Sequence, residues 1–244
     1  RVGHNPQKLA RSTPKVFNIP VKVPESLTFC TITYIPNLVG YYQYSLDVLK
    51  LSISSVVKNT DATFDIMVFD NGSCKEVIDY LQELKSSDVI QWLFLSSKNM
   101  KKGGAWNMMF PSARGEYIYY FDSDILHKPG WFQKTMEIFD AFPKAGVVSS
   151  FPFISPDRFK TTLKIAQKNS DIEVEKGISC IDKSDLSIMA KSLGKDPSEY
   201  IKSRVKAGIY KVRKNNIDAV IASSHCQFLI KASIIHNIFP RNAD

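Results

Sequence analysis

Glu116-Tyr-Ile-Tyr-Tyr-Phe-Asp-Ser-Asp-Ile125 is the stretch on which the reading of this chain turns. Its aromatic and β-branched run has no polar alternation, which predicts a strand buried inside a sheet. The run stops at two carboxylates, Asp122 and Asp124, one residue apart. In an open α/β sheet, ligands sit outside the carboxyl ends of the strands, so two acids at such an end point into the crevice. One carboxylate there serves as a helix N-cap. Two suit a hard divalent cation, because Mg²⁺ or Mn²⁺ takes oxygen ligands and is held by one or two carboxylates plus substrate phosphates. On this stretch alone, a polar turn in which Asp122 or Asp124 caps the next helix is the competing explanation.

Outward from that strand, the chain reads as a βα alternation. Leu27 to Tyr34 is a first strand that exits at Ile35-Pro36-Asn37, and Leu46, Leu49, Ile53, Val56 and Val57 recur at helical spacing after it. Phe64 to Phe69 is a second strand ending in Asp70-Asn-Gly-Ser73, followed by a helix on Val77, Leu81 and Leu84; Val89 to Leu95 is a third strand. Ser96 to Asn107 reads as a loop running into a helix. Gly103 and Gly104 there allow close backbone approach to a ligand, and the helix N-terminus after them favours anions. Past the central strand come a helix on Phe132, Met136, Phe139 and Phe142 and a fifth strand, Ala145 to Ile154. The order predicts an α/β fold: a mostly parallel central sheet flanked by helices on both faces, with right-handed crossovers.

The two ends differ from this middle. Residues 1–24 carry five basic residues, no acidic one and four prolines, and are expected to form an extended arm. Residues 25–155 are expected to form a half with a nucleotide-binding type of architecture, and 156–244 a second half with a polar, lysine-rich helical insertion. One helix of the insertion starts at the capping box Asp196-Pro-Ser-Glu199 and is expected to carry Ile201, Val205, Ile209 and Val212 on one face. Lys202, Arg204, Lys206, Lys211, Arg213 and Lys214 crowd its remaining surface, either as a solvated face or as a contact for an acidic acceptor or a membrane surface.

Composition bounds the function. With 244 residues, 44% of them apolar, the chain buries a full core, and its formal charge of +8 suits polyphosphates, anionic membranes or nucleic acid alike. Cys30, Cys74, Cys180 and Cys226 are too scattered for a zinc site or a disulfide framework, which points to reduced thiols in a cytoplasmic setting. No run approaches the roughly 20 apolar residues of a membrane span. The chain opens on Arg1 rather than Met, so its natural start is expected to lie elsewhere.

In order along the chain, these motifs resemble a family 2 glycosyltransferase of the GT-A fold, in the nucleotide-diphosphosugar transferase superfamily. The resemblance covers Thr28 to Ser150 well and Ala219 to Pro240 loosely. Thr33-Tyr-Ile-Pro-Asn37 resembles the family's first loop, which frames the nucleotide base, and Val68-Phe-Asp-Asn-Gly-Ser73 its second-strand signature, with Asn71 in place of the second acid. Asn99 with Gly103, Gly104, Ala105 and Asn107 is similar to its Asn-x-Gly loop and following helix, and Phe121-Asp-Ser-Asp124 stands where its Asp-x-Asp motif stands.

The resemblance implies a metal-dependent, inverting hexosyl transfer from a nucleotide diphosphosugar, with UDP as the carrier, to a saccharide, lipid-linked or other hydroxyl acceptor. Expected nucleotide-binding residues are Tyr34, Pro36, Asp70, Asn71, Asn99, Gly103, Gly104, Asn107, Asp122 and Ser123, with Asp70 reading the base edge and Lys98, Lys101 or Lys102 adding charge near the phosphates. Expected ligands for Mn²⁺ or Mg²⁺ are Asp122, Asp124 and a late histidine, His225; His127 is a weaker candidate. The base is either Asp244 or lies beyond the chain end. Placement is expected to be cytoplasmic, with peripheral contact to an anionic membrane.

Two rivals stand beside this reading. A sugar-phosphate nucleotidyltransferase shares the fold class, but it opens with a Gly-rich loop after the first strand, where Tyr34 to Gly40 has a single glycine. A non-catalytic polyanion or nucleic-acid binder would use the charge, but the aromatics sit in core strands rather than among basic residues, so no nucleic-acid partner is expected.

Overall fold

The computed structural model describes residues 23–151, 159–177, 181–207 and 209–240. The chain runs β1 (Leu27–Thr33), α1 (Ser45–Asn59), β2 (Asp65–Asp70), α2 (Lys75–Ser86), β3 (Trp92–Leu95), α3 (Lys101–Ser112), β4 (Tyr117–Asp122), α4 (Trp131–Ala141) and β5 (Val147–Val148). An insertion follows, made of α5 (Lys160–Gln167), β6 (Glu173–Lys176), α6 (Lys183–Ser192), α7 (Pro197–Ala207), β7 (Tyr210–Lys214) and β8 (Ile217–Val220). The chain then returns as β9 (Gln227–Lys231) and α8 (Ala232–Ile235).

Six strands form one sheet in the order β3-β2-β1-β4-β9-β5, in which β1 to β4 are parallel and β9 runs antiparallel between β4 and β5. This is the predicted α/β architecture. Strand residues alternate between two apolar layers, as a sheet covered on both faces requires. Phe29, Ile66, Val68, Tyr119 and Phe121 pack under α1, α2 and α4; Cys30, Met67, Phe69, Ile118 and Tyr120 pack under α3 and α8. Phe29 stacks on Phe64 at 4.4 Å between ring centroids and meets Tyr119 at 5.0 Å. Each such buried ring contributes roughly 1.5–3 kcal/mol, so Phe29→Ala removes a keystone of the first layer.

Three expectations need correction. The third strand begins at Trp92 rather than Val89, because Asp88 takes a left-handed turn (φ 58°) and Gln91 turns its side chain onto the neighbouring strand, its Oε1 accepting from Ile66 N at 2.7 Å. The fifth strand is two residues long, and the remainder of its expected span falls partly outside the described residues.

The insertion is not purely helical. Helix α7 has the predicted cap, with Asp196 accepting from Glu199 N at 2.9 Å, but it ends at Ala207, and Val212 lies in an antiparallel sheet β6-β7-β8. Asn215 and Asn216 both have positive φ, the requirement of a type I′ hairpin turn, and they fold β8 back on β7. The basic residues of β7 are matched there. Lys211 pairs with Glu175 at 2.6 Å, and Arg213 grips Asp218 through Nε at 2.6 Å and Nη2 at 2.8 Å. The expected basic surface is therefore partly a cross-strand charge ladder. The N-terminal arm falls on residues 1–22, outside those described. Among the described residues no helix is long and apolar enough to cross a membrane, and Cys30, Cys74 and Cys226 are free thiols.

Candidate active site

The carboxyl edge of β1, β2 and β4 carries the predicted residues, and strand parity decides where each acid points. Along β4, Ile118, Tyr120 and Asp122 share the α3 side of the sheet. Asp122 consequently meets the first turn of α3. Its Oδ1 accepts from Lys102 Nζ and from the Tyr120 hydroxyl, each at 2.6 Å, and the Lys102 and Asp122 side chains are 35% and 27% exposed. Burial, and then the charge of Asp122, push the Tyr120 phenol far above its ordinary range, so it donates to Asp122 at any working pH. The Cys226 thiol, half-buried beside the same acid, is raised chiefly by burial.

Asp124 lies two residues further, exposed in the turn, with no hydrogen bond or ion pair among the described residues. Two carboxylates one residue apart at a strand end suit a cation whose other ligands are phosphate oxygens and water. They do not fit a preformed cage. Among the described residues no three His, Cys, Asp or Glu side chains converge on one position, so the expected trio of Asp122, Asp124 and His225 is not assembled here. His225 is exposed, with Nε2 3.6 Å from Cys226 Sγ.

His127 is a core residue. It is 5% exposed, its Nε2 hydrogen bonds with the Tyr119 hydroxyl at 2.7 Å, and its Nδ1 lies 3.2 Å from Ser55 Oγ. Burial lowers its pKa from 6.5 to about 4, so it stays neutral. The sequence could not reveal this, because Ser55 lies 72 positions away.

At the end of β2, Asp70 is drawn into the turn that follows it. Residues 66, 68 and 70 share the other face, and Asp70 is wholly buried. Its Oδ2 accepts from Gly72 N at 3.1 Å and Ser73 N at 3.0 Å, holding the turn in which Gly72 has φ 92°. Its Oδ1 is buried and has no hydrogen-bond partner among the described residues, as is the case for the hydroxyls of Thr31 and Thr33 on the same parity. Through Oδ2 the carboxylate supports the turn.

Asn71 is also committed. It donates to Asn99 Oδ1 at 3.1 Å and to the Lys101 carbonyl at 3.4 Å, and it accepts from Met100 N at 2.7 Å. An aspartate could accept but not donate, which gives a physical reason for the amide at this position.

Asn99 Oδ1 also accepts from Lys101 N at 2.8 Å, and Lys101, two residues on, has φ 58°. The left-handed residue of this loop is thus a lysine, and α3 starts there. Gly103 and Gly104 lie inside the first helical turn, not in a loop ahead of it, and a Cβ on Gly103 would meet nothing within 4 Å. Asn107 follows in the same helix, half-buried, and Ser123 is half-buried between the two acids.

On the β1 side, the loop holding Tyr34 and Pro36 is pinned to the β2 turn: Ile35 N donates to Ser73 Oγ at 2.9 Å, and Cys74 N donates to the Ile35 carbonyl at 2.8 Å. The Tyr34 ring is 39% exposed, edge-on to Tyr42. Away from these residues, a cavity of about 680 Å³ opens between β5 and the insertion, lined by Phe142, Val148, Ser150, Ile165, Val220 and Ser223 among others. None of the strand-end acids lines it.

The fold is an α/β one with a mostly parallel central sheet, and the candidate residues gather at the carboxyl edge of its parallel strands. The sequence matches the family model for Glycosyl transferase family 2 over residues 39–191, well over half its length, and the chain belongs to that family. It is 32% identical over 120 residues to an uncharacterized glycosyltransferase of Nostoc sp., a match covering 48% of this chain and 36% of that protein, so the chain spans little more than a third of that relative. Among solved structures, it resembles TarS of S. aureus in complex with UDP-GlcNAc (16% identity, 51% of this chain and 33% of that one, TM-score 0.41). It also resembles the mannosyltransferase PcManGT from Pyrobaculum calidifontis in complex with GDP-Man and Mn²⁺ (17% identity, 65% and 46%, TM-score 0.42).

Proposed function

We propose that this chain carries the donor site of a cation-assisted hexosyltransferase that takes a sugar from a nucleotide diphosphosugar, UDP-linked by preference, to an acceptor hydroxyl with inversion. The observation that carries the reading is the acid pair: Asp124, exposed and without a partner among the described residues, two residues past Asp122 at the end of an inner parallel strand. A divalent cation held there would give the departing diphosphate Lewis-acid stabilisation worth several kcal/mol.

The chain's own residues do the rest. Asp122 and Asp124 supply the oxygen ligands. The N-terminus of α3, with Lys101 and Lys102 in its first turn and no side chain at Gly103, faces the phosphates and favours their charge. Tyr34 offers a ring face to the base, and Pro36 stiffens the loop that carries it. The acceptor side is assigned to the insertion. Ser224 N donates to Ser149 Oγ, in the cavity wall, at 2.9 Å, and the carbonyl of Cys226, two residues on, accepts from Asp122 N at 2.8 Å, so one short segment links that wall to the end of β4. Asp244, the candidate base, lies outside the described residues.

A panel of nucleotide sugars assayed for hydrolysis with Mn²⁺ and with EDTA tests this reading. It predicts Mn²⁺-dependent turnover of a UDP-sugar that Asp124→Ala abolishes. Equal turnover in EDTA, or no nucleotide sugar bound or cleaved, would contradict it.

A further inference from the structure

Lys102 stands where it can decide when the cation enters. Its ammonium is 2.6 Å from Asp122 Oδ1 and lies over the rings of Trp106 and Tyr120, at 5.2 and 5.0 Å from their centroids. Both partners of the pair are partly covered, so the attraction is screened less than between surface charges. The lysine rises from the first turn of α3, where the helix dipole disfavours a cation. Asp122 offsets that penalty here. Lys98 and Lys101, by contrast, extend from exposed positions.

The same Asp122 is a proposed ligand of the divalent ion. Two cations on one carboxylate oxygen repel each other strongly at such distances, so they compete for it. A diphosphate changes the balance, because its oxygens offer the ammonium an alternative partner beside a helix N-terminus suited to phosphate.

We propose that Lys102 is a transferable counter-ion: it occupies Asp122 in the ligand-free protein and passes to the diphosphate when the donor binds, which releases the carboxylate for the cation. This rests on the donor-site reading above and adds to it a rule of binding. The cation alone binds weakly, the nucleotide diphosphate raises its affinity, and by linkage the cation raises the affinity for the nucleotide by the same factor.

Titration calorimetry with MnCl₂ alone, UDP alone and each in the presence of the other tests the proposal on the parent, Lys102→Met and, as control, Lys134→Met on the exposed side of α4. Methionine keeps the apolar stem over Trp106 and Tyr120 while removing the charge; Lys102→Gln serves the same comparison should the methionine variant fail to fold. The proposal expects UDP to tighten Mn²⁺ binding at least tenfold in the parent and in Lys134→Met. In the Lys102 variant, Mn²⁺ alone binds about tenfold tighter than in the parent, UDP alone binds more weakly, and the mutual enhancement shrinks. A variant that binds Mn²⁺ no tighter than the parent, with the enhancement intact, overturns the proposal and leaves the donor site standing. A parent that binds no UDP with or without Mn²⁺ removes the donor-site reading itself.

Discussion

Asp70 and Asp122 end the two strands that flank β1, and the rule that ligands gather at strand ends treats them alike. The fold does not. Asp70 faces the layer under α1, α2 and α4, is wholly buried and holds the turn that follows it; Asp122 faces α3, keeps part of its carboxylate in reach of solvent and carries a lysine on it. On the proposed reading, a strand-end acid is available as a ligand when parity turns it toward the open side and the next turn does not consume it. Asp124, past the end of β4, escapes both constraints.

The contrast can be broken in several ways. The largest effect is expected at the open side. UDP with Mn²⁺ at about a hundred times the dissociation constant should stabilise the parent by about 2.7 kcal/mol, roughly 5–10 °C in thermal midpoint for a chain of this size. Asp124→Ala should lose the metal-dependent share of that shift, and a variant that responds like the parent would remove Asp124 from the site.

At the closed side, Asp70→Ala should cost about 3 kcal/mol in urea unfolding, from two charge-assisted hydrogen bonds and a hollowed turn. UDP affinity in the surviving fold should change little. Unchanged stability with a tenfold loss of UDP affinity would instead make Asp70 the base reader and erase the contrast.

His127 reports on how tightly that same face is sealed. Its folded pKa of about 4 lies below the ordinary 6.5, so the unfolded chain binds the proton first as pH falls. Stability owed to this group is therefore lost between about pH 6.5 and 4 and is level outside that window, a loss of about 2–3 kcal/mol by pH 4.5. His127→Gln should flatten that part of the slope in urea melts at pH 7 and 4.5. A variant with the parent's slope would show the face to be open to water.

The smallest effect sharpens the open side. Gly103→Ala adds a Cβ that meets nothing and should raise stability by up to about 1 kcal/mol. The same variant should weaken UDP binding if phosphate approaches this turn, and undiminished affinity would place the phosphates elsewhere.

Much of the framework could be read from local pattern. The strands β1, β2 and β4 are long apolar runs bounded by polar turns, so order and parallel topology followed from periodicity, and Asp122 and Asp124 from their spacing. Ile217 to Ala222 reads as strand-like, but its two partners in the small sheet, Glu173 to Lys176 and Tyr210 to Lys214, escaped because they are rich in charge that pairs across the strands. The Asn215-Asn216 turn was the available signal. The fates of Asp70, His127 and Asp122 depend on partners that periodicity cannot supply: a turn closing over Asp70, Ser55 against His127, and Lys102 against Asp122 from 20 positions away. Lys101 escaped for another reason, since a left-handed backbone is sought at glycine and here belongs to a lysine.

The most direct test is a crystal of this chain grown with UDP and MnCl₂, with data collected at the manganese edge. The account predicts one strong anomalous peak bridging the Asp124 carboxylate and the diphosphate, within reach of Asp122, with Lys102 drawn off Asp122 toward a phosphate oxygen. A diphosphate bound without manganese at Asp124, or manganese bound at some other part of the molecule, would contradict it.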